Sequence, residues 1–384
     1  MKSTKYLVGV LACVAMLGAG CAGSTEAPAS PSSQPTASAP AADNGPIKIG
    51  FIGPLTGDGA SIGTVAQAAA QIAVDEINAA GGINGRKIEA VYEDGKCNAA
   101  ASVDAANKLM NVDKVVAIDG GMCSSETAAF GPVAMQNKTV VVSYCSSAPT
   151  LTGMGKYFFR SYPSDAYQGK FAAEYAYNTL KARTVAIAYH SNDYGSGLKD
   201  TFSKRFEELG GKILIAEGST QDNKDYRTTL AKIKGLKPDM IYAPLFPDGA
   251  TAFMKQLSEL GIKTKVFGPD TFADPKFQKA ASGEGDLVYS IPVTPSADAF
   301  NAKVLAKTGG KEVPICAPEA YDNMKIFAQV IAQVGTDPDK IAEAMHQLNY
   351  QGVSGSISYD QNGDLTTAQY LMKKIVNGTN EDLK

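Results

Sequence analysis

The sequence predicts an α/β protein of two doubly wound lobes, each a parallel sheet covered by helices on both faces. Three observations point there. Short β-branched runs alternate with helical stretches, the pattern of parallel sheets. That alternation breaks near 160–183 and starts again. Of the 384 residues, those from 47 onward form a body long enough for two cores, at about 150 residues per domain.

Taken in order, residues 47–55 (IKIGFIGPL) read as a first strand, followed by a Gly-rich turn. Residues 61–80 read as a helix with Ile62, Val65, Ala69, Ile72 and Ile77 on one stripe. Gly81-Gly82 stops it. Next come a strand at 87–92, a helix at 99–110, a strand at 114–119, a helix at 124–136 and a strand at 139–144. In the second series, strands at 184–189, 212–217, 240–245 and 265–267 alternate with helices at 198–209, 226–234 and 249–260. Helices near 296–308, 317–334 and 338–347 follow. A hairpin of 356–359 and 369–375 then closes the chain around Asn362-Gly363.

Ahead of this body, Lys2 and Lys5 precede an uncharged run over 6–20. A basic start, a short apolar core and small residues before a cut describe a secretory signal peptide, here 1–20. The run is shorter than the ~20 residues that span a bilayer as a helix. The small residues before Cys21 resemble a bacterial lipobox, with Leu17 one place earlier than usual. That resemblance implies that Cys21 is lipid-modified and becomes the mature N-terminus. Residues 21–46, almost wholly Ala, Ser, Pro, Thr and Gly after the cysteine, are too poor in apolar side chains to fold and read as a tether.

Apolar residues at 44% and charged residues at 20% are ordinary for a globular protein. A formal charge of −3 argues against a general nucleic-acid binder. With only His190 and His346, a multi-histidine metal site is not expected. No GxSxG, HExxH or P-loop pattern occurs, so an enzyme is not predicted, nor any cofactor. Once the signal and anchor cysteines are set aside, Cys97, Cys123, Cys145 and Cys316 remain. In an exported chain they suggest disulfides, and spacing alone leaves three pairings open.

In open α/β sheets ligands bind beyond the carboxyl ends of the strands. Four segments lie there: 57–63, 122–127, 144–149 and 269–271. The first approximates a dinucleotide fingerprint, with Asp94 as a candidate ribose-binding acid. Asp94, however, lies 31 residues beyond Gly63 where ~20 is usual, so a turn requiring positive φ is the better reading. In the second, Ser124 is placed to cap a helix, and helix-end amides with hydroxyls favour an anion. Ser146 and Ser147 add hydroxyls in the third. In the fourth, Asp270 could hold a cation if it faces a cleft. Tyr194 and Phe246 end strands of the second series, either as apolar caps over a ligand or as loop-edge residues.

Several stretches together resemble one family, the leucine/isoleucine/valine-binding proteins, which are type I periplasmic solute-binding proteins of ABC importers. They are IGFIGPLTG (49–57), AVDEINAAGGING (73–85), CSSET (123–127), SAPTLT (147–152), FRSYPSDAYQG (159–169), DYGSG (193–197), GPD (268–270) and YDQNGDL (359–365). The resemblance covers essentially all of 47–384. It implies Rossmann-like lobes joined by a three-segment hinge: 47–165 with 293–355, 166–292 with 365–384, and 356–364 as the third crossing. It places Ser124 and Ser147 on a ligand carboxylate. Asp270, one methylene shorter than the glutamate also found there, falls to the α-ammonium. Tyr194 and Phe246 would close from the second lobe, and Ile62 takes a wall position that is often aromatic. Cys97 and Cys123 match the family disulfide.

Cys145 and Cys316 depart from the family pattern. They are expected to form a second disulfide beside the pocket, with Cys145 lining it; the rival is two free thiols. The resemblance implies an exported, membrane-anchored monomer that captures an amino acid, branched-chain or aliphatic first, and passes it to permease subunits. It implies no nucleic-acid partner. Amides, aromatic acids and other small carboxylates are alternative ligands, and a sensory receptor is the alternative role. A dry cleft that binds a zwitterion needs both an anion site and a cation site, since unpaired buried charge is costly.

Overall fold

The computed structural model describes residues 45–57, 59–283, 286–295, 297–310 and 312–383. The signal segment, Cys21 and the tether up to residue 44 lie outside the described residues. Among those described, no helix is long and apolar enough to cross a membrane.

Strand β1 (Ile47–Gly53) is buried along almost its whole length, because strands flank it on both sides and helices cover both faces. Helix α1 (Ala60–Ala79) turns an Ile, Val and Ala face inward and ends at Gly81 and Gly82, both at positive φ. The first lobe continues with β2 (Ile88–Asp94), α2 (Ala99–Asn107), β3 (Ala117–Gly120), α3 (Ser124–Gln136), β4 (Val140–Ser143) and β5 (Phe158–Arg160). These strands form a parallel sheet in the order β2-β1-β3-β4-β5.

The second lobe holds α4 (Asp165–Glu174), β6 (Thr184–His190), α5 (Asp193–Glu208), β7 (Lys212–Ser219), α6 (Arg227–Leu236), β8 (Met240–Tyr242), α7 (Pro247–Glu259), β9 (Lys265–Gly268), α8 (Pro275–Ala280) and β10 (Leu287–Pro292). The chain then returns to the first lobe as α9 (Asp298–Thr308), α10 (Ala317–Val334) and α11 (Pro338–His346), with α9 and α10 packed on α1. Two short strands, β11 (Tyr350–Gln351) and β12 (Ser356–Ile357), pair with each other. Finally β13 (Tyr370–Val376) and β14 (Thr379–Leu383) join the second sheet antiparallel, giving β14-β13-β10-β9-β8-β6-β7.

In both sheets the strand order reverses beside the first strand, between β1 and β3 and between β6 and β8, while the strands stay parallel. The helices that follow such neighbours leave on opposite faces, which opens a crevice at the strand ends. The two crevices face each other, and the lobes touch there. Asp165 N–H donates to Ser147 O at 2.8 Å, and Ser61 Oγ donates to Asp274 Oδ2 at 3.0 Å.

The alternating series is as the sequence implies, with differences at its edges. The expected closing hairpin is not a strand pair. Segment 369–375 pairs with β10 and β14 instead, and a single bridge, Tyr359 to Leu365, remains around the turn. That turn stays against β5, where Arg160 N–H donates to Gly363 O at 3.0 Å; the passage to β13 follows it. The break at 160–183 contains α4. Its sequence, DAYQGKFAAE, has little apolar periodicity, but Gly169 lets α4 approach α5 so closely that a Cβ there would lie 2.0 Å from Thr201 Oγ1. The strand expected over 240–245 stops at Tyr242, just before Pro244, which has no N–H to donate to a ladder.

Candidate functional site

The loops after β1, β3, β4, β6, β8 and β9 converge on one small cavity. The seven residues expected to meet the ligand all line it: Ile62, Ser124, Cys145, Ser147, Tyr194, Phe246 and Asp270, whereas Ser146 does not. Met122, Thr271 and Ile315 line it as well. The space enclosed is about 20 Å³, room for little more than a water.

On the first-lobe side, the helix cap sits one residue earlier than expected. Cys123 is the cap of α3 and Ser124 the first helical residue. Glu126, wholly buried, gathers the loop amides: it accepts from Cys97 N (3.0 Å), Met122 N (3.1 Å) and Cys123 N (2.9 Å). Burial outweighs those bonds and pushes its carboxyl up to about 7. Ser124 Oγ accepts from the N–H groups of Ser147 (3.2 Å) and Ala148 (3.1 Å). With both lone pairs engaged, the hydroxyl has its proton to offer to an anion.

Ser147 differs. Its hydroxyl lies 2.9 Å from Asp165 Oδ2, and Asp165 Oδ1 is buried with no partner. Burial, and then the nearby charge of Asp270, hold the Asp165 carboxyl well above the usual range. A neutral Asp165 can donate to Ser147 and release the serine proton toward the cavity. A charged one takes that proton and leaves Ser147 an acceptor.

Asp270 faces them from the second lobe, 2% exposed. It accepts from Tyr162 Oη (2.6 Å), Tyr194 Oη (2.6 Å) and Thr271 N (2.9 Å). Burial raises its pKa, and the two tyrosine hydroxyls oppose that rise. Tyr194 stacks on Phe246, centroids 5.2 Å apart at 19°. Beneath Phe246 lies His190, fully buried and 5.7 Å away ring to ring. Its Nδ1 accepts from Phe246 N at 3.2 Å, and its Nε2 meets Tyr226 Oη at 3.2 Å. Burial pushes the imidazole down to about 4, so it is a neutral support for the aromatic wall. His346 is exposed on α11.

The disulfides are Cys97–Cys123 and Cys145–Cys316, each with Cα atoms 5.3 Å apart. The first fixes the loop before α3, and the second forms part of the cavity wall. Asp94 is a structural acid that accepts from Leu55 N (2.9 Å) and Thr56 Oγ1 (2.5 Å). Gly57 and Gly59 have φ of +75° and +89°, the turn geometry expected there. Among the described residues, no group of three His, Cys, Asp or Glu is placed to hold a metal.

Sequence reasoning did not single out Tyr162 and Asp165. Both lie inside the stretch FRSYPSDAYQG, where the chain passes from one lobe to the other. The available signal was a run of polar and aromatic residues in a segment without its own element. Arg160 in the same stretch is fully buried. Its Nε and Nη2 grip Asp364 at 2.7 and 2.9 Å, and Nη1 donates to Ala148 O at 2.9 Å. It thereby braces the loop that carries Ser147.

A two-lobed α/β body with a polar crevice between its strand ends is the architecture of a solute-binding protein. The model of the periplasmic binding protein family matches residues 46–379, and the chain belongs to that family. It is 30% identical over 334 residues to an amino acid binding protein of Pseudomonas aeruginosa, covering 85% of this chain and 89% of the relative. It is 28% identical over 330 residues to the leucine-, isoleucine-, valine-, threonine- and alanine-binding protein of the same organism, covering 83% and 87%. Among solved structures, a leucine-binding protein of Thermotoga maritima superposes with a TM-score of 0.81 at 26% identity, over 88% of this chain and 98% of that one. A branched-chain amino acid transporter substrate-binding protein of Streptococcus pneumoniae, in complex with isoleucine, gives 0.79 at 28% identity over 88% and 99%.

Proposed function

We propose that this protein captures an amino acid with an aliphatic side chain between its lobes and delivers it to an ABC importer. One observation carries the reading: the hydroxyl of Ser124 and the carboxyl of Asp270 come from opposite lobes to the same cavity. Those are the two poles a zwitterion requires. The anion end falls to Ser124, with Ser147 in its proton-donating state beside a neutral Asp165, and the ammonium to Asp270. Ile62, Met122, Cys145, Ile315 and Phe246 offer apolar surface to the side chain. The named ligands of the amino-acid-binding relatives support this class. The ligand's contribution is differential: it favours the closed arrangement because only closure engages both poles at once. Since the enclosed space is about 20 Å³, entry requires the lobes to part. The relatives are named as binding proteins, which supports a role of binding and release without turnover.

Calorimetric titration of the purified protein, freed of copurified ligand, against amino acids and matched carboxylates tests the proposal. Micromolar or tighter binding of an aliphatic amino acid supports it. Binding only of carboxylates lacking an amine removes Asp270 from its role. The lipobox supports a lipid anchor at Cys21, with 22–46 as the tether. Cys21→Ser should move the protein from the membrane fraction to the soluble one.

A further inference from the structure

Ile315 lines two spaces. One is the ligand cavity; the other, on the outer side, is a cavity of about 350 Å³ bounded by α9, the start of α10 and the second crossing. Tyr162 and Cys316 also line the outer one. The partition between a space of about 20 Å³ and one of about 350 Å³ is therefore thin. Ile315 is half-buried, packed against the core on one side and open on the other.

The backbone behind that side chain is held firmly. Cys316, 1% exposed, is bonded to Cys145 in the inner wall. It has φ of +70°, in the left-handed region that non-glycine residues seldom adopt. Its carbonyl accepts from Ala320 N at 3.1 Å as α10 begins. The covalent link thus pins the segment at the point where Ile315 projects.

We propose that Ile315, pinned by the Cys145–Cys316 disulfide, sets the depth of the ligand cavity and so the longest side chain the protein accepts. This rests on the amino-acid reading above. Shortening Ile315 would join the inner cavity to the outer one. A longer ligand could then bury methylenes that the wild-type wall turns away, each worth about fourfold in affinity. The outer cavity has a mixed wall, with Ile291, Val313 and Pro314 beside Asn301, Glu319 and Lys373. Uncharged, extended side chains probe the partition itself, because their gain comes only from methylenes laid against the apolar part of that wall.

The test is a chain-length series of unbranched amino acids, from 2-aminobutyrate to 2-aminooctanoate, titrated calorimetrically into wild type, Ile315→Ala and Ile315→Val. In wild type, affinity should rise with length and then drop sharply. In Ile315→Ala the drop should move by about two methylenes, with a gain of ten-fold or more for the first length wild type rejects; Ile315→Val should move it by less. Circular dichroism and melting establish that each variant is folded, and Ile315→Val stands in if Ile315→Ala is not. A second arm, Cys145→Ser with Cys316→Ser, should blunt the cut-off because the segment is no longer tied. If wild type binds a member of the series and the folded variants keep its cut-off, Ile315 does not set the depth. If wild type binds no amino acid, the functional reading itself falls, and this inference with it.

Discussion

Replacing Asp270 by Asn tests the cation pole with little change of shape. In the structure, the carboxylate collects two tyrosine hydroxyls at 2.6 Å and one amide at 2.9 Å, so it is already well solvated by protein. An ammonium adds a charge pair in a site shut off from water. Removing one partner of a buried, hydrogen-bonded pair costs about 3–5 kcal/mol, or about two to three and a half decades in Kd. A carboxylate without an amine has no charge to place there, so its loss should be below tenfold. The assay is paired calorimetry with leucine and 4-methylpentanoate on wild type and Asp270→Asn. Equal losses for both would refute the assignment, because they would mean that Asp270 holds the lobe together and not the ligand. The sign with pH follows from burial, which raises the Asp270 pKa. As pH falls through that raised value the carboxylate is neutralised, and amino-acid affinity should drop in wild type, a drop that Asp270→Asn should not show.

Three further outcomes can be checked. Asp364→Asn strips the buried Arg160 of its partner and should cost about 3–5 kcal/mol of stability by denaturant unfolding, with weaker ligand binding because the loop around Ser147 loses its brace. Glu319 is buried on α10 with Oε2 unpartnered, and burial lifts its carboxyl to about 8. The folded state therefore holds a proton that the unfolded state loses above about 4.5, and stability falls as pH rises from there to about 8. Glu319→Gln should melt several degrees higher than wild type at pH 9 and about equally at pH 4.5. His190 has the opposite sign: neutral in the fold down to about 4, it contributes stability above about 6.5 that is lost as pH falls from there to about 4. His190→Gln should flatten that acid limb in pH-dependent melts, whereas an unchanged limb would show that the imidazole is not the group responsible.

The parts legible in the sequence were those fixed by local pattern. Ser124 and Asp270 were found because a strand end is a place the alternation itself marks, and residues there face a crevice. Tyr162 and Asp165 were not, because they act where the chain leaves one lobe for the other, and no periodicity announces a crossing. Glu126 looks like a solvent-facing acid in a helix's first turn. Its burial depends on three amides converging from two loops, one of them 29 residues away. The C-terminal strands misled for a similar reason. Asn362-Gly363 does turn the chain, but β13 pairs with β10, whose sequence, LVYSIP, did not read as a strand.

The bond between Cys145 and Cys316 has a consequence for the chain's life before it is folded. It joins residues 171 positions apart, and between them runs the main part of the second lobe. Closing a loop of that length restricts the unfolded chain by ~5 kcal/mol in the entropic account. The second lobe thus hangs from a covalent ring whose clasp lies in the first. For a chain that emerges N-terminus first, Cys145 arrives long before its partner, while Cys97 and Cys123 are already available to it. Correct pairing therefore requires that Cys145 be kept from the nearer thiols until Cys316 appears, and closing Cys97–Cys123 first would remove both competitors.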